Sequence, residues 1–247
     1  MAGRLVSAGE RRAELAAGLA RVEERIARAC DAAGRARDEV TLIVVTKTYP
    51  AQDVRTLAEL GVRQVAENRD QEAAAKAAAC ADLPLVWHFV GQLQTNKARS
   101  VVSYADYVHA IDRARLVTAL SAAVVSAGRA PLHCLLQVAL EKESGLGAGR
   151  GGVAPDGVAE LAAAVRAAPG LRLAGLMTVA PLAGAYAGSP GAAFARLKEI
   201  SRSLRGDDPA ANMVSAGMSA DLEEAVTAGA THVRVGSAVL GVRPALG

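Results

Sequence analysis

Eight short apolar runs recur along this chain with helical stretches between them, and that alternation does most to limit the fold. The runs lie at 41–47, 64–67, 86–90, 107–110, 132–140, 171–176, 212–215 and 232–235. The first, Thr41-Leu-Ile-Val-Val-Thr46, is continuously apolar and β-branched rather than alternating, the pattern of a strand buried on both faces in a parallel sheet. Amphipathic segments at 52–60, 113–125, 158–167, 191–204 and 222–228 read as helices, with Asp112 and Ser219 as expected N-caps for two of them. An additional helix, from about 8 to 34, precedes the first strand; Leu15, Leu19, Val22, Ile26 and Ala29 recur at helical spacing and Gly34 ends the run. Eight β/α repeats without a hairpin signal predict one α/β domain over residues 1–247. The expected fold is a TIM-type (β/α)8 barrel over about 40–241 with an extra N-terminal helix, in preference to a doubly wound sheet.

A length of 247 residues suits one such barrel. Aromatic residues make up only 3%, so small aliphatic side chains must fill the core. The net charge is +3, and the arginines of the first helix alternate with Glu10, Glu14, Glu23 and Glu24, which marks a solvated face rather than a nucleic-acid patch. Cys30, Cys80 and Cys134 are too widely separated for metal-ligand spacing or a disulfide framework, and the four histidines are equally scattered. No signal core or long apolar run is visible, so the expectation is a cytoplasmic chain without membrane or nucleic-acid partners.

On a parallel barrel the chemistry gathers at the carboxyl ends of the strands. Lys47 closes the first apolar run at such an end; it is either a cation reaching solvent or an amine nucleophile. In Val214-Ser-Ala-Gly-Met-Ser219, Ser215 offers a hydroxyl, Gly217 permits close backbone approach, and a helix start follows. Val233-Arg-Val-Gly-Ser237 repeats the arrangement with Gly236 and Ser237 after the eighth strand. Barrels frequently bind phosphate between the loops after strands seven and eight. A phosphate there and an amine across the mouth describe a site for a phosphorylated aldehyde, and pyridoxal 5′-phosphate (PLP) fits, held as a Schiff base on Lys47. Arg234 is the candidate ring-nitrogen partner; a guanidinium donates to a neutral nitrogen and leaves the ring a weak electron sink. An ion pair with a loop carboxylate is the ordinary alternative for Arg234.

Several motifs occur in order: Val44-Val-Thr-Lys-Thr-Tyr-Pro50, Ala66-Glu-Asn68, Trp87-His-Phe-Val-Gly-Gln-Leu-Gln-Thr-Asn-Lys97, His109-Ala-Ile-Asp112, Gly175-Leu-Met-Thr178, Ser215-Ala-Gly-Met-Ser-Ala-Asp221 and Val233-Arg-Val-Gly-Ser-Ala-Val-Leu-Gly241. Together they resemble the pyridoxal phosphate homeostasis protein family, single-domain relatives of the alanine racemase barrel. The resemblance runs from about the first helix to Gly241. It implies a fold-type III barrel with the cofactor on Lys47, Arg234 at the ring nitrogen, and Ser215, Gly236 and Ser237 around the phosphate. Asn68 and His88 join Gly217 as further candidate cofactor-binding residues. Alternation turns Trp87 and His88 to opposite faces of the third strand, and His88 also reads as a satisfied core histidine. The chain departs from the family at Ala66, where a glycine is usual. It departs again at Arg150-Gly151-Gly152, where the family carries a lysine, which puts any amine role there in doubt; Lys142 is a weak substitute.

Three functions compete. The resemblance implies a PLP carrier or homeostasis protein, with PLP-dependent apo-enzymes as recipients and a monomeric state. The second is a PLP-dependent amino-acid racemase or lyase. A racemase needs two acid–base groups on opposite faces of its substrate, and only Tyr49 and Tyr186 offer themselves as the second. Alanine racemase takes one from a further domain, and no such domain is expected beyond Gly247. The third is a sugar-phosphate barrel using Lys47 as an aldolase-type amine. No catalytic residue is assigned, and the carrier reading is preferred.

Overall fold

The computed structural model describes residues 7–144 and 151–241. Eight parallel strands close into a barrel in chain order: β1 (Thr41–Val45), β2 (Gln64–Glu67), β3 (Val86–Phe89), β4 (Tyr107–Ile111), β5 (Leu132–Gln137), β6 (Leu171–Met177), β7 (Met213–Ser215) and β8 (His232–Val235). The closing seam pairs Thr41 with His232 and Val44 with Val235. Around it lie α1 (Ala8–Ala32), α2 (Ala51–Glu59), α3 (Asp70–Ala79), α4 (Ala98–Val102), α5 (Ala114–Ala127), α6 (Val158–Ala167), α7 (Pro190–Asp207), α8 (Leu222–Thr227) and α9 (Ser237–Leu240). The eight-stranded barrel and its preceding helix are those the apolar runs predict. No helix among the described residues is long and apolar enough to cross a membrane.

Period-two alternation sorts the strand residues. Val44, Val65, Trp87, Val233 and Val235 face outward and pack with Leu15, Val22 and Ile26 of α1. Across the barrel, Val108, Cys134 and Leu136 pack with Leu116 and Leu120 of α5 and Val165 of α6. The interior holds a smaller apolar group of Leu135, Ala174, Met177 and Met213 beside Tyr107. Its remaining side is polar: His88, His109, Ser215 and Arg234 are all buried. Trp87 and His88 thus lie on opposite faces, as alternation requires.

Helix α1 covers the β8–β1 seam. A Cβ at Gly18 would meet the Val239 carbonyl oxygen at 2.2 Å, so glycine lets α1 press against α9. Arg11 fastens the contact, donating to Asp53 at 2.7 Å on α2 and to the Leu240 carbonyl at 3.1 Å. The first helix therefore buttresses the elements that follow β1 and β8.

Two expected N-caps are corrected. Helix α5 starts after Arg113 with no side-chain cap; the Asp112 carboxylate pairs with Arg113 instead. Helix α8 starts after Asp221, and the Ser219 hydroxyl is engaged with the loop after β8. Strand β1 ends at Val45, so Lys47 stands in the turn beyond it, and β5 ends at Gln137 before a 3-10 turn over Leu140–Ser144.

Candidate functional site

Lys47 is exposed at the carboxyl end of β1. Lys76, Lys97 and Lys198 each engage a carboxylate or carbonyl, whereas Lys47 makes no hydrogen bond or ion pair among the described residues. Its backbone is firmly held. The Lys76 ammonium, almost fully buried, donates to the Thr46 carbonyl at 2.6 Å and to Glu67 and Glu72, each at 2.7 Å. Thr46 donates its hydroxyl to Glu67 at 2.6 Å, and the Thr48 amide donates to Glu72. Thr48 has φ +72, a left-handed conformation rare for a β-branched residue, and the Glu72 contact holds it there. Burial pushes the Glu67 carboxyl above the usual range, against the pull of Lys76 and Thr46.

Across the mouth, the loops after β7 and β8 meet. Gly217 has φ +89, and a Cβ on it would lie 2.6 Å from the Ala225 Cβ, so this turn requires glycine. Ser219 Oγ and Ser237 Oγ are 3.2 Å apart, and the Ala238 amide donates to Ser219 Oγ at 3.4 Å. The amides of Gly236 and Ser237 donate to no partner among the described residues. Two hydroxyls and two unspent amides form a cup for an anion. Ser215 sits below that cup, fully buried. Its hydroxyl accepts from Arg234 Nη1 at 2.6 Å and lies 3.0 Å from His109 Nδ1.

Arg234 projects from β8 into the barrel, and its Nη2 donates to the Thr178 carbonyl at 2.8 Å. No carboxylate bonds it, and burial lowers its pKa to about 10, opposed only by the field of Asp221. The ion pair considered as an alternative for Arg234 is therefore not made among the described residues.

His88 lies deeper. Its Nδ1 is 2.9 Å from His109 Nε2 and its Nε2 is 2.7 Å from Gln64 Oε1, and its ring stacks on Tyr107 at 4.7 Å. It is a satisfied core histidine, and burial pulls its pKa down to about 3. Asn68 lines a cavity of about 390 Å³ at the ends of β2 and β3, with Gln92, Gln94 and Lys97. Its Oδ1 is buried without a partner among the described residues.

The two candidate opposing acids are both committed elsewhere. Tyr49 donates its phenol to the Gly241 carbonyl at 2.6 Å, and Tyr186 donates to Glu143 at 2.9 Å. Arg150 and the Lys142 side chain lie outside the described residues. No cluster able to hold a metal ion occurs among the described residues. His109, Thr178 and Ser219 lie within the sequence motifs but carry no site role there, and Lys76 lies outside them; the Glu72–Lys76 spacing of four is its local signal.

A closed parallel barrel with a lysine beyond β1 that is unpaired among the described residues, free amides and hydroxyls after β7 and β8 and a buried arginine on β8 is an arrangement that could hold a phosphorylated aldehyde. Residues 18–244 match the family described as alanine racemase, N-terminal domain. The chain is 42% identical over 229 residues to the pyridoxal phosphate homeostasis protein of Pseudomonas aeruginosa, covering 93% of this chain and 96% of that one. It is also 42% identical, over 98% of each chain, to the protein of that name from Mycobacterium tuberculosis. Among solved structures, PipY of Synechococcus elongatus with PLP bound is 34% identical with a TM-score of 0.74, covering 89% of this chain and all of that one. The chain belongs to the pyridoxal phosphate homeostasis protein family.

Proposed function

We propose that this protein binds PLP covalently through Lys47 and serves intracellular PLP homeostasis or cofactor carriage. The observation that carries the reading is the pairing of an unengaged Lys47 amine with the Ser219–Ser237 cup on one barrel mouth. The residues fit the group. Ser219, Ser237 and the amides of Gly236 and Ser237 would hold the phosphate, Gly217 shapes the turn, and Arg234 would donate to the ring nitrogen, with Ser215 supporting it. Asn68, whose buried Oδ1 has no partner among the described residues, lines a separate cavity at the ends of β2 and β3. When bound, the cofactor's aldehyde supplies the electrophile for the Lys47 amine. PipY, named as PLP-bound, supports the assignment.

Holding is favoured over turnover. A guanidinium keeps the ring nitrogen unprotonated and the ring a weak electron sink. Tyr49 and Tyr186, the candidate second acids, spend their protons on Gly241 and Glu143. The whole chain acts as one PLP-binding barrel, with apo-enzymes as recipients. Cys30, Cys80 and Cys134 are free and buried, which fits a reducing, cytoplasmic setting. The exposed large apolar residues Val125, Leu182 and Met218 stand on separate elements, which fits a monomer.

Borohydride reduction of the PLP-loaded protein followed by peptide mass analysis tests the assignment. The adduct is expected on Lys47 and absent in Lys47→Ala; an adduct on Lys97 or Lys142 instead overturns it. Turnover of D- or L-amino acids that disappears in Lys47→Ala overturns the carrier role.

A further inference from the structure

Arg234 brings a charge into the barrel interior on neutral partners, Ser215 Oγ and the Thr178 carbonyl. Behind Ser215 a line of side chains continues toward the opposite end of the barrel. Ser215 Oγ is 3.0 Å from His109 Nδ1, His109 Nε2 is 2.9 Å from His88 Nδ1, and His88 Nε2 is 2.7 Å from Gln64 Oε1. Gln64 is the first residue of β2, half-buried, and lines a cavity of about 260 Å³ with Leu42, Leu60 and Arg63. Residues 64, 88, 109, 215 and 234 come from five strands.

The Gln64 amide, its Oε1 turned to His88 Nε2, and two neutral rings order the protons on this line, because an amide oxygen only accepts. At the other end Ser215 accepts from Arg234 and gives its hydrogen to the Nδ1 of His109. His109 carries its hydrogen on Nε2 and gives it to His88 Nδ1; His88 carries its own on Nε2 and gives it to Gln64 Oε1. The order holds while Gln64 Oε1 accepts and both rings are neutral. The order requires two neutral imidazoles, and burial keeps both rings so. The Gln64 amide ends the line as an acceptor and relays no proton, so the line orients rather than conducts.

We propose that Gln64, His88 and His109 are positioning residues for Arg234: a one-way hydrogen-bond chain that turns acceptor lone pairs toward the guanidinium in place of a counter-ion and fixes its donors for the cofactor ring. The chain couples the cofactor floor to the amino end of the barrel. The proposal rests on the PLP reading above. The other ionisable groups facing the chain are Tyr107, stacked on His88, His133, stacked on Tyr107, and His232; Asp221 acts on Arg234.

Glutamine reproduces the donor–acceptor order of an Nε2–H imidazole, with amide oxygen for Nδ1 and amide nitrogen for Nε2. His109→Gln and His88→Gln thus keep the chain, whereas His109→Leu and His88→Leu break it. Gln64→Leu removes only the last acceptor. Each variant is loaded with PLP, and three quantities are read: affinity, the pH profile of the bound cofactor's absorption, and the borohydride adduct on Lys47. The leucine variants are expected to bind about tenfold more weakly, the scale of one lost hydrogen bond to a charged group, with an altered pH profile and the adduct still on Lys47 at saturation. The glutamine variants are expected to stay within about twofold of the parent, less than one such bond, and to keep its profile. Gln64→Leu is expected to alter the profile in the same sense, by less. Leucine variants with parental affinity and profile overturn the proposal, as do glutamine variants impaired as much as the leucine ones. If the interior leucine variants fail to fold, Gln64→Leu decides: a parental pH profile there overturns the chain. A parent protein without the Lys47 adduct overturns the PLP reading instead.

Discussion

The Lys76 ammonium donates to the carbonyl of Thr46 at 2.6 Å, one residue before Lys47. Lys76 is buried, and so is Glu67, which it also meets at 2.7 Å. A buried pair of this kind contributes little net stability, because desolvation offsets the attraction. What it does is geometric. It ties the end of β1 to β2 and α3 and leaves the neighbouring lysine free to face the mouth.

Replacing Lys76 with Met should therefore be costly in two ways. It leaves the Glu67 carboxylate buried without a counter-charge and the Thr46 carbonyl without its donor. A loss of about 3–5 kcal/mol in urea unfolding is expected, with less cofactor trapped on Lys47. Adding Glu67→Gln should restore part of the stability while trapping stays low, since the tie to Thr46 is still missing. Full recovery of trapping in the double variant would show that Lys76 serves stability alone.

The cup makes a separable prediction. Ser219→Ala and Ser237→Ala each remove one hydroxyl from the 3.2 Å pair. Each should weaken PLP binding roughly tenfold, as expected for a hydrogen bond to a charged group, and leave pyridoxal, which lacks the phosphate, bound as before. Titration with both compounds measures the difference. Equal losses for the two would place the phosphate elsewhere.

The apolar runs revealed the barrel because a strand buried on both faces is close to continuously hydrophobic, as residues 42–45 and 134–136 are. The extra helix α1 showed itself through the spacing of Leu15, Val22 and Ile26. Helix α3 escaped notice because Asp-Gln-Glu-Ala-Ala-Ala-Lys-Ala-Ala-Ala has almost no contrast between faces, and α4 and α9 are too short to show a period.

Within the site, Lys47, Gly217, Arg234, Gly236 and Ser237 stand out locally, as residues at strand ends or in glycine turns. The interior chain does not, because its members are scattered from Gln64 to Arg234 and only closure of the barrel brings them together. Ser219 was misread as a helix cap for a related reason. A serine before a helix suits that role on local grounds, and the competing partner, Ser237, arrives only through the β7–β8 pairing.

Gly217 tests whether the turn after β7 is as constrained as its geometry says. Gly217→Ala puts a Cβ at φ +89 and 2.6 Å from the Ala225 Cβ, on the first face of α8. The variant should lose about 2 kcal/mol or more of stability and bind PLP more weakly, because α8 cannot move without shifting Asp221, which accepts from the Met218 amide at 2.6 Å. Thermal unfolding and PLP titration check both effects. Gly34→Ala is the control: it too has positive φ, +64, but nothing lies within 4 Å of its Cβ, so it should carry the backbone cost without the cofactor defect.

The interior histidines set the response to acid. Burial lowers the folded-state pKa of His88 to about 3 and moves His109 the same way, while both titrate near ~6.5 when unfolded. Between those values the unfolded chain binds protons that the folded chain refuses, so stability falls as the pH drops from about 6.5 toward 3, by about 1.4 kcal/mol per unit for each histidine. His232, lowered to about 4, acts in the same direction. Glu67 acts against them: its folded pKa is raised, so its contribution is complete below the unfolded value and is lost as the pH rises through the folded one. Urea unfolding at pH 7 and pH 5 separates these groups. The parent should lose several kcal/mol across that interval, and His88→Gln should lose about 2 kcal/mol less, because one titrating ring is gone while its hydrogen bonds are kept. Equal losses in the two proteins would mean that His88 takes up its proton over the same pH range folded and unfolded, against the lowering that burial imposes.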